Sequence, residues 1–265
     1  MRTSPFLIIV ITCCALSLGC DRAALMKRVT PAEDETFARE SVDLLRHHRL
    51  EQIESALDPG IYDPNIKDQL NRMAEMFPPE EPKSIKVVGL RTINDQGTSI
   101  HNLTLEYEYQ EKWLLADVAI KRENSLPIIA AFRVTPIANS LESINSFNFV
   151  QKSPLHYIIL GLAIVGPIFC VYVLVLCLRT KAQHLRWLWA LFILLGVGRL
   201  GINWTTGDVV FTPLAVHIPC VSMTAIPAYG PWVVSISLPL GAILFLLKRI
   251  GNVTSEAAPD SSLST

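Results

Sequence analysis

Three side chains in the polar first half of the chain are of types suited to proton transfer. His101 and Tyr107 fall in phase along an alternating run, His101, Leu103, Leu105, Tyr107 and Tyr109, which predicts a strand with one apolar face. Asp117 lies on the next predicted strand, in phase with Trp113 and Leu115. A buried carboxylate beside an imidazole would form a general acid–base pair. The competing reading makes His101 an ordinary strand-end histidine. It turns Asp117 to solvent and gives the core face of that strand to Leu114, Val118 and Ile120. Binding without catalysis is therefore the first reading, and acid–base chemistry the second. His47-His48 marks a solvated helix end, and His217 with Cys220 supplies only two ligands, too few for a zinc site. Neither a metal nor a cofactor is expected.

A different chemistry arises where charge enters an apolar run. Arg199 sits inside the apolar segment 187–204, and a charge within a membrane span is a functional-site hypothesis by default. The alternative is structural: Trp204 ends the segment roughly 8 Å away by helical rise, so Arg199 would snorkel to the interface and pair with Asp208.

Charge and cysteine placement narrow the class of protein. Residues 21–150 carry 21 acidic against 15 basic side chains, whereas residues 151–250 carry one acid, Asp208, against seven bases. The acidic first part lacks the basic footprint that nucleic-acid binding requires. Mean hydropathy is +0.35 and half of the residues are hydrophobic, high for a wholly soluble chain. None of the six cysteines lies in the polar part, which excludes a disulfide framework there. Cys170 and Cys177 share one face of an apolar helix and read as buried thiols.

Residues 1–20 have the form of an export signal, with Arg2, an apolar core from Phe6 to Leu18, and small Gly19 before Cys20. The sequence Ser17-Leu18-Gly19-Cys20 resembles a bacterial lipoprotein lipobox, although Ser17 and Leu18 nearly exchange that pattern's usual places. The resemblance implies that Cys20 is acylated and becomes the first mature residue. Asp21 is similar to an inner-membrane retention mark in such lipoproteins.

The rest of the chain must position these groups. Residues 21–30 read as a linker. Helical spacing predicts three helices: one after Pro31 with Phe37, Ser41, Leu44 and Leu45 on a face, one with Leu50, Ile53, Ala56 and Leu57, and one with Ile66, Leu70, Met73 and Met76. Four strands joined by short connections then predict an antiparallel meander with the helices on its concave face. Residues 31–137 thus form an α+β domain. Its element order resembles the nuclear-transport-factor-like (cystatin-like) cone, which implies a pocket between helices and sheet but no particular activity. A stalk at 138–155 leads to three expected transmembrane helices, at 156–178, 187–204 and 231–247. An apolar loop fills 205–230, β-like over Phe211–Ala225, and a disordered tail 251–265. Basic residues at 179–186 and Lys248-Arg249 place those ends in the cytoplasm.

The expected protein is a multi-pass envelope protein of the bacterial inner membrane with its main domain outside. Its partners would be membrane lipid and either a small ligand or another envelope protein. An extracytoplasmic enzyme and a membrane-complex or transport subunit are the alternatives.

Overall fold

Apolar side chains recur with period two through most of residues 84–137, and this alternation dictates a sheet with one buried face. The computed structural model of the protein describes residues 22–61, 63–95, 98–123, 126–180, 186–217, 221–225 and 228–256. The chain divides into two units, one of Met1–Asn145 with Ile226–Gly230, the other of Ser146–Ala225 with Pro231–Thr265.

In the first unit, helices α1 (Arg22–Val29), α2 (Ala32–Arg46), α3 (Leu50–Ala56) and α4 (Ile66–Ala74) precede strands β1 (Ser84–Asp95), β2 (Thr98–Glu108), β3 (Trp113–Glu123) and β4 (Leu126–Ile137). The strands pair in sequence order, each antiparallel to the next. Helix α2 stops at His47 because the next residue, His48, turns to a positive φ of 54°. One sheet face is covered by the helices. Leu103, Leu105 and Tyr107 of β2 and Leu114, Val118 and Ile120 of β3 meet Ala38, Val42 and Leu45 of α2, Ile53 of α3 and Leu70 of α4. The space in which a cone pocket was expected is thus occupied by the core itself. On the opposite face a smaller cluster forms. A register shift between Val87 and Gly89 leaves Val88 as an extra residue, and Val88 is buried against Met26 of α1 and Tyr229. The segment expected to be a linker is therefore a packed helix, because Met26 has an apolar site to fill. A short helix, α5 (Leu141–Ile144), follows the sheet where a stalk was expected. Its Ser140 side chain caps the Ser143 N–H.

The second unit contains α6 (Pro154–Arg179), α7 (Arg186–Ile193), strands β5 (Gly196–Asn203), β6 (Val209–His217), β7 (Val221–Ala225) and β8 (Trp232–Leu238), and α8 (Leu240–Glu256). The strands form a second antiparallel sheet in the order β6-β5-β8-β7. Cys170, Val173, Leu174 and Cys177 of α6 pack with Ile193 of α7 and with Ala242 and Phe245 of α8. Nearer the start of α6, Ile159 and Ala163 pack on Ile202, Trp204 and Val234. Phe147 stacks on Trp204 with ring centroids 4.4 Å apart.

The expectation of three transmembrane helices is overturned. Among the described residues one helix, α6, is long and apolar enough to cross a membrane. Segment 187–204 is helical only as far as Ile193. Gly196, Gly198 and Gly201 disfavour helix, Gly198 takes a φ of 72°, and β5 gains ladder bonds on both sides from β6 and β8. Segment 231–247 begins as the β-branched strand β8, and Pro239 separates it from α8. Within 205–230, expected as an apolar loop with a β-like stretch, lie strands β6 and β7. Residues 251–256, expected in a disordered tail, continue α8. The export signal with Cys20, and most of the basic loop after α6, lie outside the described residues.

Candidate functional site

Asp34 enters the first turn of α2, where the positive end of the helix dipole favours a carboxylate. Its side chain is 1% exposed, and both oxygens are engaged. Oδ2 lies 2.5 Å from His101 Nδ1, and Oδ1 accepts from Arg122 Nη2 at 2.7 Å. Arg122 also donates to Glu33 Oε2 at 2.9 Å. These hydrogen bonds, Asp34 before Glu33, raise the Arg122 pKa above its ordinary value. An ionised carboxylate can only accept, so Nδ1 of His101 carries the proton and Nε2 is the ring's remaining nitrogen.

Ser99 Oγ stands 3.4 Å from Nε2, which gives the outline of an Asp–His–Ser series. The hydroxyl instead donates to Asn94 Oδ1 at 2.9 Å. A serine nucleophile needs its proton directed at the base, and here it points elsewhere. Arg122 also neutralises the carboxylate that would stabilise an imidazolium. The cluster clamps the start of α2 to β2 and β3. Asp34 was legible in the sequence only as a dipole partner and Arg122 not at all, because their meeting depends on how the helix crosses the sheet.

His101 and Asp117 are not brought together. Asp117 is the register partner of Thr104 and accepts from its Oγ1 at 2.5 Å, on the sheet face opposite the buried Leu103 and Leu105. Tyr107 is buried in the core, edge-on to Phe77 at 5.8 Å, and burial pushes its phenol well above the ordinary value.

Asp117 does line a cleft of about 240 Å³ with Asn102, Ala119, Ala131, Phe132 and Arg133. Asn102 Oδ1 is buried there without a hydrogen-bond partner. Arg133 is directly across the ladder from Asp117, and among the described residues the two make no ion pair. A carboxylate, a guanidinium and an unsatisfied amide therefore border one small polar cleft. Such groups orient a ligand that both donates and accepts hydrogen bonds.

In the second unit Arg199 lies on β5, so snorkelling along a helix does not describe it. Its Nε donates to Ser235 Oγ at 3.1 Å. The expected partner, Asp208, instead accepts from Thr206 Oγ1. Arg199 borders a groove of about 390 Å³ between α6 and the second sheet, walled by Leu162, Val165, Phe169, Leu200, Phe211 and Leu238 among others. Among the described residues no group of three or more His, Cys, Asp or Glu side chains could hold a metal ion.

No family model, no curated protein and no solved structure matches this chain.

Proposed function

We propose that the protein is a membrane-anchored binding protein of the bacterial envelope. Helix α6 is the anchor. The α+β unit, a variant of the nuclear-transport-factor-like arrangement, takes a small polar ligand or a segment of a partner protein in the cleft beside Asp117. The observation that carries the binding reading is the cleft's content: Asn102 Oδ1 buried without a partner, with Asp117 and Arg133 on its walls. A buried acceptor left unpaired costs about 1–3 kcal/mol, and a bound donor removes that cost. His101, the other candidate base, is already paired with Asp34, whose second oxygen is taken by Arg122. Anchoring is supported by the side chains that α6 leaves exposed, among them Ile158, Leu162, Ile164, Val165, Ile168 and Tyr172.

The test is a thermal-shift screen of the full-length protein in a nonionic detergent, with amino acids, primary amines and small carboxylates as probes. The reading expects at least one stabilising ligand whose effect is lost in both Asp117→Asn and Arg133→Ala. A ligand that stabilises both variants as it does the wild type binds elsewhere and overturns the assignment of this cleft.

A further inference from the structure

The cleft beside Asp117 is built on two neighbouring rungs of the first sheet. Thr104, Asp117 and Arg133 stand directly across from one another on β2, β3 and β4. Asn102, Ala119 and Ala131 form the next rung on the same face, two residues along each strand. Asn102, Asp117, Ala119, Ala131 and Arg133 all line the cleft. The two alanines account for the hollow, because single-carbon side chains lie beside longer ones and the sheet surface sinks there.

The walls carry one charge of each sign. Asp117 Oδ1 accepts from Thr104 Oγ1, and an ionised carboxylate has capacity for further donors. Asn102 lies diagonally across the ladder from Asp117, close enough for one donor group to reach both. Its Oδ1 is buried without a partner. Arg133 offers only donors, and its fork suits a carboxylate. A simple amine would pair with Asp117 and leave the guanidinium without an anion. A simple carboxylate would do the reverse. A zwitterion satisfies both walls and matches their zero net charge. Residues directly opposite on a ladder have β-carbons only about 4.5–5.5 Å apart, so the ligand's two charges must also be close together. An α-amino acid, with both groups on one carbon, has that spacing. At about 30 Å³ for a water-sized group, 240 Å³ holds on the order of eight heavy atoms, which is room for the whole of a small one.

We infer that this cleft binds a free α-amino acid with a small side chain. Its ammonium is shared by Asn102 Oδ1 and the Asp117 carboxylate, and its carboxylate lies on Arg133. The assignment rests on the cleft being the binding site proposed above, and it adds the class of ligand.

The full-length protein in a nonionic detergent, dialysed free of small molecules, is titrated by calorimetry with L-alanine. Three further probes each lack one feature: L-alaninamide has no carboxylate, propionate has no ammonium, and ε-aminocaproate holds the two charges far apart. L-Alanine should bind at least about tenfold more tightly than any of the three. Arg133→Gln and Asp117→Asn should each weaken alanine binding by roughly ten- to hundredfold. Arg133→Gln should also erase the preference for alanine over alaninamide, and Asp117→Asn the preference for alanine over propionate. Ala131→Leu fills the hollow from an exposed position without changing either charge, and it should abolish binding of alanine. Alaninamide or propionate binding as tightly as alanine, yet blocked by Ala131→Leu, would overturn the amino-acid class and leave the cleft as the site. Alanine binding Ala131→Leu as it does the wild type would overturn the class and the cleft together. No binding of alanine to the wild type would overturn the class, and a different ligand lost in both Asp117→Asn and Arg133→Ala would still mark the cleft. If a charge variant does not fold, the four probes on wild type and Ala131→Leu decide the matter alone.

Discussion

Two carboxylates of the first unit respond to pH in opposite directions. Glu106 is almost wholly buried, and burial raises its pKa despite the Leu141 N–H that donates to it at 2.6 Å. Its protonated form is thus favoured by the fold. The contribution is fully present below the ordinary glutamate range and is lost as pH rises through the raised pKa. Glu106→Gln keeps an oxygen for Leu141 and removes the charge. It should melt above wild type near neutral pH, with the gap closing on acidification, as followed by scanning fluorimetry. Asp58 is the reverse case: hydrogen bonds from Lys121, then from the Gly60 N–H, lower its pKa. Its contribution is present above the ordinary aspartate range and is lost as pH falls through the lowered pKa. Asp58→Asn should therefore be destabilised near neutral pH and converge on wild type in acid. Asp34 carries the clamp, and Asp34→Asn should cost about 1.5–3 kcal/mol in denaturant unfolding, the range for hydrogen bonds to charged groups. An unchanged midpoint would show that α2 is held to the sheet by apolar packing alone.

At the level of elements, the meander was the most legible part of the chain. The phase of Leu103, Leu105 and Tyr107 on β2, and of Leu114, Val118 and Ile120 on β3, is the phase of burial, because a period of two leaves no other way to fill one face. The position of Asp117 followed from the same phase, and its separation from His101 was implicit in it. The second unit was misread because mean hydropathy measures composition and does not separate a buried strand from a membrane helix. The deciding signals were local: Gly196, Gly198 and Gly201 in one segment, and Val233, Val234 and Ile236 before Pro239 in the other. The clamp and the Arg199–Ser235 contact join residues distant in sequence, which no spacing rule reports. Packing makes two sharp demands here. A Cβ on Gly241 would fall on the Phe192 carbonyl oxygen, so the start of α8 fits the end of α7 only as glycine. Gly241→Ala should displace α8 and lower the melting temperature more than Gly161→Ala, where a Cβ meets open space. Leu105→Ala, at a fully buried site, should cost about 2–5 kcal/mol.

Taken as a whole, the chain segregates its polarity. The exposed large apolar side chains of the first unit are few and scattered, such as Ile93 and Leu126. Those of the second unit crowd α6, α7 and β6, with Leu214 on β6 94% exposed. Contiguous apolar surface of this kind marks contact with a membrane or with another protein. Helix α6 is long enough for one crossing: 26 residues at helical rise extend about 39 Å, longer than a hydrocarbon core of about 30 Å. Anchoring through α6 with the first unit outside is the central claim, and topology tests it most directly. Single cysteines are placed at Val150, before α6, and at Thr180, after it, in a background cleared of native cysteines. Intact spheroplasts are then treated with a membrane-impermeant maleimide. The account predicts labelling of Val150→Cys in intact cells and of Thr180→Cys only after permeabilisation. Equal labelling of both positions in intact cells would contradict it, because α6 would then not cross the membrane.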